Sequence, residues 1–318
     1  MFCGQATRLS ALIFHRVFPV QDPFYPSEVY AEKFDELLSV LVRCFNVLPV
    51  GEAIALWRDG RLPPRALVIT FDDGYADNFT VAYPILRKHG VEAAFFIASG
   101  YLDGGVMFND LVIESLRRTQ LDEIDLGWLG LGRLSIADLP RRRSVTNEVL
   151  LKVKYLSLRE REEALARLMS EARVDRPVDL MMSSEQLRAL RDGGMEIGGH
   201  TMNHPILAVL DDQAAEDEIV ANRAHLTQIL GHSPRFFAYP NGKPGMDYLA
   251  RDVRIVRRAG YEAAFTTSSG SIGKESDRFE LPRFTPWERT PTRFSLRLAQ
   301  NFLRVNAQQL NASVMGAI

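Results

Sequence analysis

Apolar positions along this chain switch repeatedly between a helical period and a strand period, and a glycine marks many of the switches. "AYPILRKHGVEAAFFIASG" (82–100) and "VRIVRRAGYEAAFTTSSG" (253–270) share one layout, with a helical stretch, a glycine, an apolar strand and a closing Ser-Gly. Gly90 and Gly260 stand where a helix ends in a left-handed cap. "SSEQLRALRDGGMEIGGH" (183–200) predicts a short helix with Ser183 or Ser184 as N-cap, then a strand over "MEIGG". In 211–242 an acidic helix start at Asp211 to Glu218 leads to a stop at Gly231 and a strand over "RFFAY". Helix and strand alternating in this way predict parallel βα units, and several such units predict a doubly wound sheet or a barrel.

Residues from about 105 to 182 break the rhythm. "FNDLVIESLRRT" and "NEVLLKVKYLSLREREEALARLMSEAR" carry helical spacing around a Gly- and Leu-rich connection with no convincing strand, which predicts a helical insertion. The tail predicts an amphipathic helix at about 291–310. No Pro-rich linker or low-complexity run marks a boundary, so 1–318 is read as one catalytic domain carrying the insertion.

Composition narrows the partners more than the fold. A net charge of −2 and 46% hydrophobic residues describe a globular chain with no basic surface for nucleic acid. Two cysteines, Cys3 and Cys44, are too few for a disulfide framework. The first residues lack the layout of a secretory signal, and no window reaches the ~18 apolar residues of a membrane span. A cytoplasmic location is the expectation, with a start upstream of Met1 left open. Oligomeric state is not legible.

The polar residues that end the apolar strands belong together, because the C-terminal strand ends of an α/β barrel converge on one face. They are Asp72 and Asp73 after "ALVIT-F", His200 and His204 after "MEIGG", Arg235 and Tyr239 around "FFA", and His15 after "SALIF". Two histidines four apart and one carboxylate suffice to bind a divalent metal and leave a position open for water. Each feature has an ordinary reading too: Asp-Asp-Gly is a common turn, an arginine often snorkels at the surface, and a lone histidine often sits hydrogen-bonded in a core.

Together the residues resemble the polysaccharide deacetylases of carbohydrate esterase family 4. Three of its motifs occur in order as Thr70-Phe71-Asp72-Asp73-Gly74, His200-Thr201-Met202-Asn203-His204 and Arg235-Phe236-Phe237-Ala238-Tyr239-Pro240. The resemblance covers about 64–100 and 184–285. It implies a distorted (β/α) barrel of about seven parallel strands. It implies that Asp73, His200 and His204 hold the metal, that Asp72 is the general base, that Arg235 contacts and orients it, and that the Tyr239 backbone N–H helps hold the oxyanion. Zinc is favoured by imidazole and carboxylate ligands, with cobalt, nickel or manganese as alternatives. Tyr239, Pro240 and Trp287 of "LPRFTPW" are the candidate substrate contacts, and Asp77 matches no catalytic position and is read as a turn or capping residue.

The implied reaction is hydrolysis of N-acetyl groups on an amino sugar, in an exopolysaccharide, peptidoglycan or a lipid-linked sugar, and the family offers an envelope-associated location as the alternative. The late histidine that supplies the acid in many members is missing, since no histidine follows His232. His15 is the substitute, as in permuted exopolysaccharide-type members with an early histidine strand. An amidase or cyclic-imide hydrolase on the same scaffold, a non-haem iron oxygenase and a carbohydrate-binding pseudoenzyme are the competing readings.

Overall fold

The computed structural model describes residues 8–154, 156–284 and 290–302. In chain order the strands are β1 (Leu9–Phe14), β2 (Asn46–Val47), β3 (Ala66–Phe71), β4 (Ala94–Ile97), β5 (Glu123–Asp125), β6 (Arg133–Ser135), β7 (Glu196–Gly199), β8 (Phe236–Ala238) and β9 (Ala263–Phe265). The helices are α1 (Ala31–Cys44), α2 (Val50–Arg58), α3 (Tyr83–Lys88), α4 (Phe108–Arg118), α5 (Leu139–Val153), α6 (Leu158–Ala172), α7 (Ser184–Asp192), α8 (Asp212–Leu230), α9 (Ala250–Arg258) and α10 (Pro291–Asn301). The chain divides into two compact units, one of 1–20, 29–102 and 182–318, the other of 21–28 and 103–181.

The first unit is a curled parallel sheet in the order β1-β3-β4-β7-β8-β9, with β2 beside β3. Residues 281–284 bridge its two edges: Leu281 pairs with Phe265 of β9 and Phe284 with Leu12 of β1, both parallel. Successive strand residues face opposite sides. Ala66 and Val68 of β3 join Ala94, Phe96, Phe236, Ala238, Ala263 and Phe265 in an inner core. Leu67, Ile69 and Phe71 instead pack outward with Phe34 and Leu38 of α1, Leu86 of α3 and Leu226 of α8. Helix α2 lays Val50, Ala53 and Ile54 on the inner core.

Local signals explain the element ends. Gly90 (φ 64°) and Gly260 (φ 88°) take the left-handed conformation their spacing predicts. Ser183, not Ser184, caps α7 and forms a capping box with Gln186. Gly198 serves close approach: a Cβ there would lie 2.4 Å from a Phe96 ring carbon and 2.8 Å from the Phe236 carbonyl.

The second unit packs α4, α5 and α6 through Leu111, Leu116, Val149, Val153, Leu165 and Leu168. It differs from the sequence expectation in holding a strand pair, β5 antiparallel to β6. These strands are short and mostly exposed, so their apolar signal is weak. The long helical stretch after Asn147 divides where Ser157 starts α6 with a capping box. The tail helix is observed as α10, and its expected extension past 302 lies outside the described residues. Among the described residues no helix is long and apolar enough to cross a membrane.

Candidate functional site

Strand parity decides which carboxylate faces where. Asp72 continues the inward series of Ala66, Val68 and Thr70, so it stands over the inner core and is 2% exposed. Its backbone N–H donates to the Phe14 carbonyl at 2.9 Å, which fixes the end of β3 against the end of β1. Asp73 then turns the chain away in the left-handed region, with φ 78°. His200 follows β7 with the inward parity of Gly198, and His204 lies beyond a turn in which Thr201 and His204 also have positive φ.

These turns bring Asp73, His200 and His204 together with their ligand atoms all within 4.8 Å of one another. Each histidine Nε2 lies 3.4 Å from Asp73 Oδ1. The His200 Nδ1 is 2.7 Å from the Ala238 carbonyl, an acceptor, so Nδ1 carries the hydrogen and Nε2 offers a lone pair. Asp73 Oδ1 is buried and has no hydrogen-bond partner among the described residues. Lone pairs converging on a buried, unsatisfied oxygen fit a cation. Two donors on one zinc ion with bonds of about 2.1 Å stand roughly 3.4 Å apart, which is the separation of Asp73 Oδ1 from each Nε2.

The electrostatics hold both carboxyls ionised and His204 neutral. Burial would raise the Asp72 carboxyl, but Arg283 and His200 outweigh it and hold it below the usual range. Burial is likewise overcome at Asp73 by His200 and His204, which push its pKa down. At His204 burial dominates and lowers the imidazole to about 4, leaving it neutral. Burial works against charge at His200 as well, yet Asp72 and Asp73 raise it.

The arginine on Asp72 is Arg283. Its Nη1 and Nη2 each donate to one Asp72 oxygen at 2.7 Å, its Nε donates to the Thr266 carbonyl at 2.9 Å, and it is fully buried. Such a two-toothed pair is the strong form of an ion pair. The expectation that Arg235 contacts the base is therefore corrected. Arg235 precedes β8, at the strand end opposite the site, where it donates to Glu262 at 2.8 and 3.1 Å and is 46% exposed. Three strand residues separate it from the site end, a run of about 10 Å. Arg283 carried a signal in "LPRF": an arginine inside an apolar run calls for a buried anion.

Tyr239 needs a second correction. Its N–H already donates to the Phe265 carbonyl at 3.1 Å and its hydroxyl to the Phe279 carbonyl at 3.0 Å, in a fully buried position. Pro240 is buried also, and Trp287 lies outside the described residues. Pro240 has no N–H, so the next backbone donor is Asn241, exposed and held at φ 58°.

His15 directly follows β1, is exposed, and lies within electrostatic reach of Asp72, Asp73 and His204. Asn78 Nδ2 donates to its carbonyl at 2.8 Å. Asp77 caps no helix. It accepts from Arg16 Nε at 2.7 Å and from the Val17 N–H at 3.2 Å, while burial raises its pKa. Arg16 lies over the rings of Phe18 and Tyr75. The chain after His15 is thus clipped to the turn that carries both aspartates.

A sequence profile described as polysaccharide deacetylase matches residues 59–131 and 153–264. YxkH of Bacillus subtilis (strain 168) is 19% identical over 238 residues, covering 75% of this chain and 57% of its own length. Its name gives polysaccharide deacetylase as an assignment, not a demonstrated activity. Among solved structures, the Streptococcus pyogenes deacetylase PplD in complex with acetate has a TM-score of 0.62 at 18% identity, covering 93% of this chain and 99% of its own. IcaB from Ammonifex degensii has a TM-score of 0.60 at 19% identity, covering 93% and 97%. These likenesses concern the fold. The profile match covers more than half of the residues, and the chain belongs to the polysaccharide deacetylase family.

Proposed function

We propose that this protein is a metal-dependent hydrolase that removes N-acetyl groups from amino sugars of a glycan. The observation that carries the reading is the convergence of Asp73, His200 and His204 around one unsatisfied oxygen, with Asp72 beside them on a buried arginine. Asp73, His200 and His204 would hold a divalent cation, zinc in first place, and that cation supplies Lewis acidity to a water and to the amide carbonyl.

The chain's own groups divide the remaining work. Asp72, kept ionised by Arg283, accepts the proton of the attacking water. With the Tyr239 N–H engaged by the Phe265 carbonyl, the Asn241 N–H, the first backbone donor after it, is the candidate donor to the oxyanion. His15 donates a proton to the sugar nitrogen as the C–N bond breaks, releasing acetate and a free amine.

Incubation with N-acetylglucosamine oligomers and with cyclic ureides, in parallel, tests the substrate class. Acetate and free amine from the oligomers are expected. Turnover of the ureides alone would overturn the reading in favour of a cyclic-imide hydrolase.

A further inference from the structure

The turn that carries both histidines is strained. Thr201, a β-branched residue, has φ 62°, and His204 has φ 51°. Positive φ at such a position is a genuine outlier that persists when the surroundings over-determine it. Within the turn, the His204 N–H donates to Thr201 Oγ1 at 3.1 Å and the Thr201 hydroxyl to the His200 carbonyl at 2.6 Å. Part of the restraint comes from the segment after β4, where the Gly100 N–H donates to the Met202 carbonyl and the Tyr101 hydroxyl to the Asn203 carbonyl, each at 2.8 Å, and the rest comes from α8.

Two residues one helical turn apart on α8 reach this segment. Asn222 is fully buried with its carboxamide satisfied at both ends. Its Oδ1 accepts the His200 N–H at 3.2 Å, and its Nδ2 donates to the Ile97 carbonyl at 3.0 Å and to Ser99 Oγ at 2.8 Å. Glu218 holds the other half of the turn. Its two carboxylate oxygens accept from the Asn203 N–H and Asn203 Nδ2, each at 2.8 Å, and its backbone carbonyl accepts from the Met202 N–H at 3.0 Å.

We infer that Asn222 and Glu218 are positioning residues of the metal centre, holding the His200–His204 turn in its metal-binding form from one face of α8. Asn222 ties the start of the turn to the end of β4, and Glu218 ties its middle to the helix. Neither touches a candidate metal ligand atom. Their effect runs through the backbone that aims the two imidazoles. The inference rests on the metal reading given above.

The test is calorimetric titration of metal-stripped protein with Co²⁺ and Zn²⁺, well below the unfolding temperature of each metal-free variant. Asn222→Ala and Glu218→Ala are each expected to weaken binding by about 10- to 100-fold. Glu218→Gln is expected to bind as the wild type does, since a flip of the Asn203 amide restores both hydrogen bonds. A merely structural role would lower the unfolding temperature of the metal-free variants without moving the affinity. Should Asn222→Ala fail to fold, the Glu218 pair decides, because that side chain is only partly buried. Wild-type affinity in both alanine variants would overturn the inference while sparing the metal reading, as would Glu218→Gln binding as weakly as Glu218→Ala. A wild type that takes up neither cation would overturn both.

Discussion

Replacing Arg283 with Met removes the guanidinium from Asp72 and keeps an apolar side chain that can lie beside Phe96. Arg283 is fully buried and Asp72 is 2% exposed, so the substitution leaves a buried carboxylate without its hydrogen-bonded cation and with only His200 nearby, 3.9 Å away. Breaking a buried pair from one side costs about 3–5 kcal/mol. Asp72 has a depressed pKa in the folded state, so the stabilisation it provides is present above the unfolded carboxyl value of about 3.9 and fades as pH falls through the folded value. The gap in stability between wild type and Arg283→Met should therefore be wide at neutral pH and narrow below about pH 4. The same change frees Asp72 to rise, so the acidic limb of the kcat/KM profile should move to higher pH. Turnover at neutral pH should fall, toward the 10²- to 10⁴-fold that general-base catalysis is worth.

Arg235→Met is the matched control. It breaks a largely exposed pair with Glu262, worth about 0.2–1 kcal/mol, and should leave turnover near wild type. Urea unfolding from pH 3 to 8, with kcat/KM on N-acetylglucosamine oligomers, reads both variants. If Arg235→Met abolished turnover while Arg283→Met shifted neither stability nor the pH profile, the assignment of Arg283 to the base would be refuted.

Other consequences can be checked more briefly. Zn²⁺ at 100 times its Kd should stabilise the metal-stripped protein by about 2.7 kcal/mol, seen as a higher Tm, and Asp73→Asn should abolish the shift. His15→Ala should cost about 10²- to 10⁴-fold on acetamido sugars but spare an aryl acetate, whose leaving group needs no proton, and metal affinity should not change; equal losses on both substrates would count against an acid role. Gly198→Ala should destabilise by about 1–3 kcal/mol in urea unfolding, because its Cβ would meet the Phe96 ring and the Phe236 carbonyl.

The βα grammar was legible because period, capping and glycine agree with one another in the segments around Gly90, Gly231 and Gly260. The stretch between β1 and β3 carries no such agreement, although α1 and α2 lie there: Tyr30 and Pro49 precede them without a side-chain cap to mark the start. The strand pair β5–β6 escaped because each strand is short and buries little. Within the site, adjacency revealed Asp72, Asp73, His200 and His204, whose spacing along the chain is local. The partner of Asp72 is not local. Arg283 comes from a segment far along the chain that bridges the sheet edges, and placing it requires knowing how the sheet closes. Parity could have excluded Arg235, since it begins its strand on the outward side. Tyr239 could not be judged without the register that pairs its N–H with Phe265. Asp77 in "FDDGYADN" turned out to serve the loop after His15, a contact that exists because β1 and β3 are neighbours.

The proposed mechanism stands on Asp72 working as a base beside a cation held by Asp73, His200 and His204. It is tested most directly by Asp72→Asn, measured for metal content and for acetate release from N-acetylglucosamine oligomers, beside metal-stripped and metal-restored wild type. One equivalent of metal is expected in both proteins, with acetate release in wild type that is lost on stripping and returns on restoration, and none above background from Asp72→Asn. Acetate release by Asp72→Asn at the wild-type rate, or by stripped wild type at the restored rate, would contradict it.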